Sequence, residues 1–365
     1  MAADNSELIA ITKLFKISGK LLSIAPHGSG HINKTYLSTW SEQGINKKYI
    51  HQTINQNVFK DVAALMQNIS TVLEHFSKTL SSNKSYGKLQ IIPSIDGTLY
   101  AADSNSNIWR TYNFLENSSY YETCTNNIQA KEAGRIVGFF QRALTDLSPN
   151  KLAYTIINFT SSSARLKELE KSIKHDRARR LTLVKEEVDF VKANAGILSL
   201  VDNLLKAGDI PERIIHGDTK LNNICFDEKT GSAVCLIDLD TCMPGYSLYD
   251  FGDLVRNVGI AAEEDEQDFS KISFDLARYT AILEGYAENA KFFLNKQEIK
   301  ILHLIPQLLA LTLGIRFLSD FLNGDLYFSI NRKFHNLERA RTQFKIYETF
   351  KARENEMAAL TASYF

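Results

Sequence analysis

The run Ile214-Ile215-His216-Gly217-Asp218-Thr219-Lys220-Leu221-Asn222-Asn223, together with the apolar stretch Ala233-Val234-Cys235-Leu236-Ile237 that ends in Asp238, decides how the rest of the chain is read. Two apolar residues lead into a polar loop in which Asp218 stands two places after His216 and Asn223 five places after Asp218. The short apolar runs 224–226 and 233–237 follow, joined by a turn around Thr230 and Gly231. Carboxylates and an amide at the ends of short strands can divide the labour of phosphoryl transfer. Asp218 stays clear of metal to accept or orient a proton. Asn223 and Asp238 offer hard oxygen ligands to magnesium, an ion that otherwise keeps its water. The pattern H-x-D-x-x-x-x-N alone arises by chance in polar loops; a strand-borne aspartate at short distance makes it specific.

Before this segment, strands are expected at 21–24, 35–39, 49–53, 91–92 and 108–114. One helix interrupts them over 58–80, where Val58, Val62, Leu65, Met66, Ile69, Val72, Leu73 and Phe76 recur at three- and four-residue steps and Asn57 is available as a cap. From 131 onward helical patterns dominate: 131–144, 164–179, 183–207 closed by Gly208, 268–289, 297–323 closed by Gly324, and 336–353. The expected class is α+β. A small antiparallel sheet lobe with one helix, residues 1–115, precedes a larger, mainly helical lobe, 116–365, that contains the short β interruption.

Lysine plus arginine equals aspartate plus glutamate, 42 against 42, so neither nucleic acid nor an anionic membrane is an expected partner. A small neutral or zwitterionic molecule fits better, with a monomer or weak homodimer as the assembly. Residues 1–7 are polar and acidic where a secretory signal needs a basic region and an apolar run. The most apolar stretch, 301–318, carries His303, Pro306, Gln307 and Arg316 and reads as a buried helix. Cys124, Cys225, Cys235 and Cys242 form no C-x-x-C pair, so a reduced, cytoplasmic setting is expected. Cys225 and Cys235 fall on neighbouring strands as small core residues.

Asp250-Phe251-Gly252 spells the metal-binding triplet of protein kinases. It follows Pro244, Gly245 and Ser247 with no apolar strand before it, so Asp250 and Asp253 are assigned to starting a helix and fixing the loop beneath the site. Upstream, His27-Gly28-Ser29-Gly30-His31-Ile32-Asn33 joins two expected strands, and its small residues let backbone N–H groups approach phosphates.

With these residues in place the chain resembles the aminoglycoside phosphotransferase and choline kinase group, a branch of the protein-kinase-like fold, and within it the N-acetylhexosamine 1-kinases. The resemblance runs through Gly28 to Asn33, Gln52-Thr53-Ile54-Asn55, Val58-Phe59-Lys60-Asp61, Ile108-Trp109-Arg110, Asp218-Thr219-Lys220, Ile237-Asp238-Leu239-Asp240-Thr241, Met243-Pro244-Gly245, Tyr249 to Asp253, and Phe317-Leu318-Ser319-Asp320 through Tyr327-Phe328. It implies a nucleotide-binding first lobe and a catalytic, substrate-binding second lobe, using ATP and magnesium. Asp218 would be the catalytic base, with Lys220 beside it as the cation for phosphate, and Asn223 and Asp238 the magnesium ligands. Gly28, Ser29 and Gly30 would approach the phosphates, and the backbone of Asn113, Phe114 and Leu115 would be the adenine hinge. His31, Lys220, Asp238, Arg316 and Tyr327 would line the sugar pocket. The implied reaction is phosphorylation of the anomeric hydroxyl of an N-acetylhexosamine. A kinase of another small alcohol (choline, methylthioribose, an aminoglycoside) and an inactive nucleotide-binding module are the alternatives. Protein kinases carry a lysine on the third strand; Tyr49-Ile50-His51-Gln52 offers none.

Overall fold

Side chains alternate in size and polarity from Thr35 to Thr53, and that period of two lays down the first lobe. In the computed structural model, which describes residues 5–28, 33–79 and 86–365, this lobe comprises α1 (Asn5–Thr12), β1 (Lys20–Pro26), β2 (Thr35–Glu42), β3 (Ile45–Thr53), α2 (Val62–Thr79), β4 (Ile91–Ile92), β5 (Ala101–Ala102) and β6 (Ile108–Asn113). The antiparallel sheet has the order β1-β2-β3-β6-β4, with β5 also paired to β6. Its two faces do different work. Tyr36 and Trp109 turn to one side and pack with Leu8, Ile11 and Phe15 from the N-terminal segment. On the other side Gln52 of β3 stands opposite Arg110 of β6 and faces the second lobe.

The expected cap for the first long helix is corrected. α2 begins at Val62, where the Asp61 carboxylate accepts from the Ala64 N–H at 2.9 Å, whereas Asn57 lies in the preceding turn and gives its own N–H to Asn55 Oδ1. Val58 and Phe59 belong to that turn, with Phe59 buried under the helix.

The second lobe contains β7 (Ser118–Ser119), α3 (Asn127–Ala143), α4 (Ser162–His175), α5 (Lys185–Asn194), α6 (Leu200–Ala207), β8 (Arg213–Ile215), β9 (Ile224–Asp227), β10 (Ala233–Leu236), β11 (Met243–Gly245), α7 (Ser247–Val258), α8 (Leu276–Ala290), α9 (Lys296–Ile301), α10 (Ile305–Asn323), α11 (His335–Lys351) and α12 (Glu354–Tyr364). Strands β10-β9-β7 form one small sheet and β11-β8 another. Cys225 faces Cys235 across β9 and β10, both buried free thiols. Helices α3 and α8 pack backbone against backbone: a Cβ at Gly285 would overlap the Lys131 carbonyl, and one at Gly134 the Ile282 carbonyl. The 296–323 stretch is the one among the described residues long and apolar enough to cross a membrane, but 72% of its apolar 18-residue window is buried, and α10 packs on α4, α7 and α11 as a core helix.

Three expected helices differ. The span 297–323 is interrupted by a 3₁₀ turn over 302–304 between α9 and α10. The span 183–207 breaks into α5, a 3₁₀ segment over 195–199 and α6, because Gly196 propagates a helix poorly and Leu198 turns into the core. The helix expected from 268 starts instead at Leu276, because the Asp275 carboxylate accepts from the amides of Ala277 and Arg278. α1 and α12 were not expected.

His51 lies fully buried in the sheet, between the hydroxyls of Ser38 at 2.7 Å and Thr111 at 2.8 Å, and burial lowers its pKa to about 4. Between pH 6.5 and 4 the unfolded chain binds a proton that the folded ring refuses, so this term is complete above pH 6.5 and is lost as the pH falls through that window, by up to about 3 kcal/mol. Urea unfolding at pH 7 and 4.5 should therefore show a loss that shrinks markedly in His51→Gln. An equal loss in both proteins would exclude the ring as its source.

Candidate active site

The loop between β8 and β9 is shaped by a buried carboxylate on α7. Asp250 accepts the backbone N–H of His216 at 2.9 Å and of Gly217 at 2.8 Å, and the Gln141 amide at 3.0 Å. Asp253, one turn on, accepts the Thr219 N–H at 2.9 Å, and the Thr219 hydroxyl donates to the Asp250 carbonyl at 2.6 Å. These bonds define what Asp250-Phe251-Gly252 does here: it holds the loop from below. His216 ties the loop to the end of β10, one ring nitrogen lying 3.0 Å from the Ile237 carbonyl and the other accepting the Asp218 N–H at 3.3 Å. Gly217 has φ +82°, and a Cβ there would meet Thr241 at 2.9 Å and the Phe159 ring at 3.1 Å. Only glycine fits that bend.

On this base the loop presents Asp218, Lys220 and Asn223 as one cluster. Asp218 Oδ2 lies 2.9 Å from the Lys220 ammonium and accepts from Asn223 Nδ2, also at 2.9 Å. A second bond from Asn223 Nδ2 to the Asp218 carbonyl leaves the Asn223 amide oxygen to act as an acceptor. Burial opposes the Lys220 charge, but Asp218, Asp238 and Asp253 together outweigh it and raise its pKa. Asp238 sits just past β10 in the left-handed region, at φ 61°, a conformation Asp tolerates better than bulkier residues. Burial first, then the charges of Asp240 and Asp218, push its carboxyl up to about 7 against the opposing pull of Arg110 and Lys220. A crowded set of carboxylate oxygens with an amide oxygen nearby suits a hard divalent cation. No group of three or more His, Cys, Asp or Glu side chains is arranged for a metal among the described residues, so phosphate oxygens or water would complete the shell.

Asp240 was quoted in the sequence motif without a role, and so was Arg110; the structure joins them. The fully buried Arg110 guanidinium forms an ion pair with Asp240 Oδ1 and gives Nε–H and Nη2–H to Gln52 at 3.1 and 3.0 Å. Asn33 donates to Asp240 Oδ2 at 2.8 Å and accepts the Asn55 N–H at 3.1 Å. Third strand, sixth strand, the residue after the Gly28 loop and the Asp238 turn therefore meet on one carboxylate. On the third strand, where kinases carry lysine, Gln52 braces an arginine from the adjacent strand, while His51 points into the opposite face of the sheet.

The remaining expected residues lie around this centre. Gly28 has φ +76°; Ser29, Gly30 and His31 lie outside the described residues. Asn113 ends β6 and braces residues 88–90 through its side chain, while the Phe114 N–H is taken by the Lys48 carbonyl and the Leu115 carbonyl by Ser118. Arg316 and Tyr327 meet each other, the guanidinium carbon standing 5.7 Å from the tyrosine ring centre and 5.3 Å from that of Phe328. Asp320 positions that loop by accepting the amides of Leu326, Tyr327 and Phe328, all at 2.9 Å. The side-chain chain from Thr312 to Ser162 (2.8 Å) and on to Tyr249 (2.9 Å) links this region to α7 and hence to the catalytic loop.

Comparison with solved structures finds the same architecture. An aminoglycoside phosphotransferase from Alicyclobacillus acidocaldarius superposes with a TM-score of 0.61 at 10% identity, covering 97% of this chain and 96% of that one. A microcompartment-associated aminopropanol kinase gives 0.58 at 13% identity, over 97% and 99%. A choline kinase from Cryptosporidium parvum gives 0.56 at 14% identity, over 99% of each. The fold is thus protein-kinase-like, α+β, with a small antiparallel sheet lobe and a mainly helical one. The phosphotransferase enzyme family matches residues 23–282, from β1 into α8 and across the whole catalytic loop, and the chain belongs to that family of small-molecule kinases.

Proposed function

We propose that this kinase uses ATP and magnesium to phosphorylate the anomeric hydroxyl of an N-acetylhexosamine, giving the sugar 1-phosphate. The observation that carries the choice of acceptor is Arg316. It is a partly buried cation that makes no ion pair among the described residues and is capped by Tyr327 and Phe328. Choline and aminopropanol, named for two of the similar structures, bring an ammonium group, which such a cation repels. A neutral polyol with an acetamido carbonyl brings hydroxyls and a strong acceptor, which it attracts. The quoted resemblance to the sugar 1-kinases points the same way, and Arg316 and Tyr327 both lie beyond the residues shared with the wider family.

In this reading the sugar hydroxyl hydrogen-bonds to Asp218, which orients it and takes its proton as the new O–P bond forms. The bond between the γ-phosphorus and the bridging oxygen breaks, and ADP leaves. Lys220 faces the transferring group with its positive charge. Magnesium, held by Asn223 and Asp238, would neutralise phosphate charge. The chain reserves separate residues for separate tasks. Asp250 and Asp253 are already committed to backbone amides, so they have no lone pairs to spare for metal duty comparable to those of Asp238.

Asp218→Asn should fold and bind nucleotide nearly as the parent does, with turnover at least ~10²-fold lower; turnover within threefold would remove Asp218 from the base role. Asp238→Ala should raise the magnesium needed for half-maximal rate, whereas Asp250→Ala should lower the melting temperature, because it strips the loop amides of their acceptor. A magnesium phenotype confined to Asp250→Ala would reverse that assignment. The product is tested with N-acetylglucosamine and N-acetylgalactosamine beside their 1-O-methyl glycosides, following ADP release and the phosphorus NMR coupling of the product. Blocking C1 should abolish turnover; efficient phosphorylation of a methyl glycoside, or of choline in place of either sugar, would send the reading back to a generic small-alcohol kinase.

A further inference from the structure

Helices α4 and α10 run side by side in the same direction, tied by two rungs: Thr312 to Ser162 at 2.8 Å and Asn323 to Ser172 at 3.0 Å. Arg165 lies one turn beyond the first rung on α4 and Arg316 one turn beyond it on α10, and each lies two turns before the second. That register holds two guanidinium groups level with each other across the helix pair. The start of α4 abuts the catalytic loop, since Phe159 crowds Gly217 and Ser162 bonds to Tyr249.

The charges do not balance. Arg165 is 16% exposed and gives one Nη1 bond, 2.9 Å, to Glu168, a carboxylate half open to solvent; its Nε–H is buried with no partner. Arg316 makes no ion pair among the described residues and is covered by aromatic faces. Burial depresses its pKa and the Arg165 charge adds to that, while Tyr327 and the Glu168 carboxylate work against it. Two facing cations, each partly buried and with Glu168 bonded to only one of them, are costly unless an acceptor arrives. A carbonyl oxygen has two lone pairs and can take one N–H from each.

We propose that Arg165 and Arg316 together form the receiving site for a carbonyl or carboxylate oxygen of the acceptor substrate, with Arg165 as a second specificity residue. Resting on the N-acetylhexosamine reading, that oxygen is the acetamido oxygen. A free amine on the same carbon is an ammonium ion and adds a third positive charge. The site therefore selects N-acylated over free amino sugars by repulsion as well as by attraction.

The test uses the full chain with Arg165→Met, which keeps the apolar stem, and Arg165→Lys, which keeps the charge but loses the fork. Loss of a hydrogen bond to a charged group at this position should raise the KM for N-acetylglucosamine about tenfold or more in Arg165→Met, with kcat and the KM for ATP within about twofold. Discrimination against glucosamine should narrow in the same protein, and Arg165→Lys should fall between. An unchanged sugar KM with glucosamine still rejected would reduce Arg165 to a partner of Glu168 and overturn the site. Should Arg165→Met fail to fold, the same comparison is read from Arg165→Lys. If the wild type turns over no N-acetylhexosamine, the functional reading falls by itself, and calorimetry with glucuronate and glucosamine decides the site. Wild-type binding of glucuronate that weakens in the variant upholds it, and preference for glucosamine refutes it.

Discussion

One carboxylate, that of Asp250, sets the geometry on which the rest depends. A buried carboxylate is tolerable only when its lone pairs are filled, and here the donors are two successive backbone amides of the catalytic loop and a glutamine from α3. Gln141 is itself held by the Tyr286 hydroxyl at 2.6 Å and donates to the Ser247 carbonyl at 2.9 Å, so α3, α7 and α8 converge on one polar node inside an apolar lobe. The close crossing of α3 and α8 at Gly134 and Gly285 is what brings Tyr286 and Gln141 within reach. A loop carrying an aspartate, a lysine and a metal-competent asparagine thus inherits the rigidity of three packed helices.

The second constraint joins the lobes. Arg110 and Asp240 form a buried pair whose desolvation is offset by hydrogen bonds from Asn33 to the carboxylate and from the guanidinium to Gln52. Arginine suits the place because its planar fork holds three nitrogens in fixed directions, two toward Gln52 and one toward Asp240. The absence of that lysine therefore does not leave the cleft without a fixed cation. It moves the charge to the sixth strand and commits it to the Asp238 turn instead of to open solvent. The metal-competent aspartate and the residue that follows the Gly28 loop then share one anchor.

Local signals made much of this legible. Helix stops at Gly208 and Gly324, the strand before Asp238, and the unsuitable context of Asp250 are all short-range patterns, and the structure has them where they were expected. What escaped was non-local. Asn57 and Asp61 are both cap-type residues four places apart, and the choice between them goes with Phe59 being buried ahead of the helix. The break at 195–199 follows from where Leu198 can be buried. Arg110 and Asp240 lie far apart in sequence, and Arg165 reads as an ordinary charge on an amphipathic helix until the rungs between α4 and α10 set its register against Arg316.

The geometry of the catalytic loop and the loop that covers Arg316 are therefore set by different parts of the chain. The catalytic loop, its Asp250 anchor and the Arg110–Asp240 link lie within the stretch shared with the wider family, whereas Arg316, Asp320 and Tyr327 lie after it. Asp320 uses both oxygens to fix the loop that carries Tyr327, and the Asn336 amide of α11 donates to it at 3.0 Å. Changing that loop alters what covers Arg316 without touching Asp218 or its supports. A fold built this way can keep one loop geometry while the covering of Arg316 changes, the two regions being joined through α7 and the start of α4.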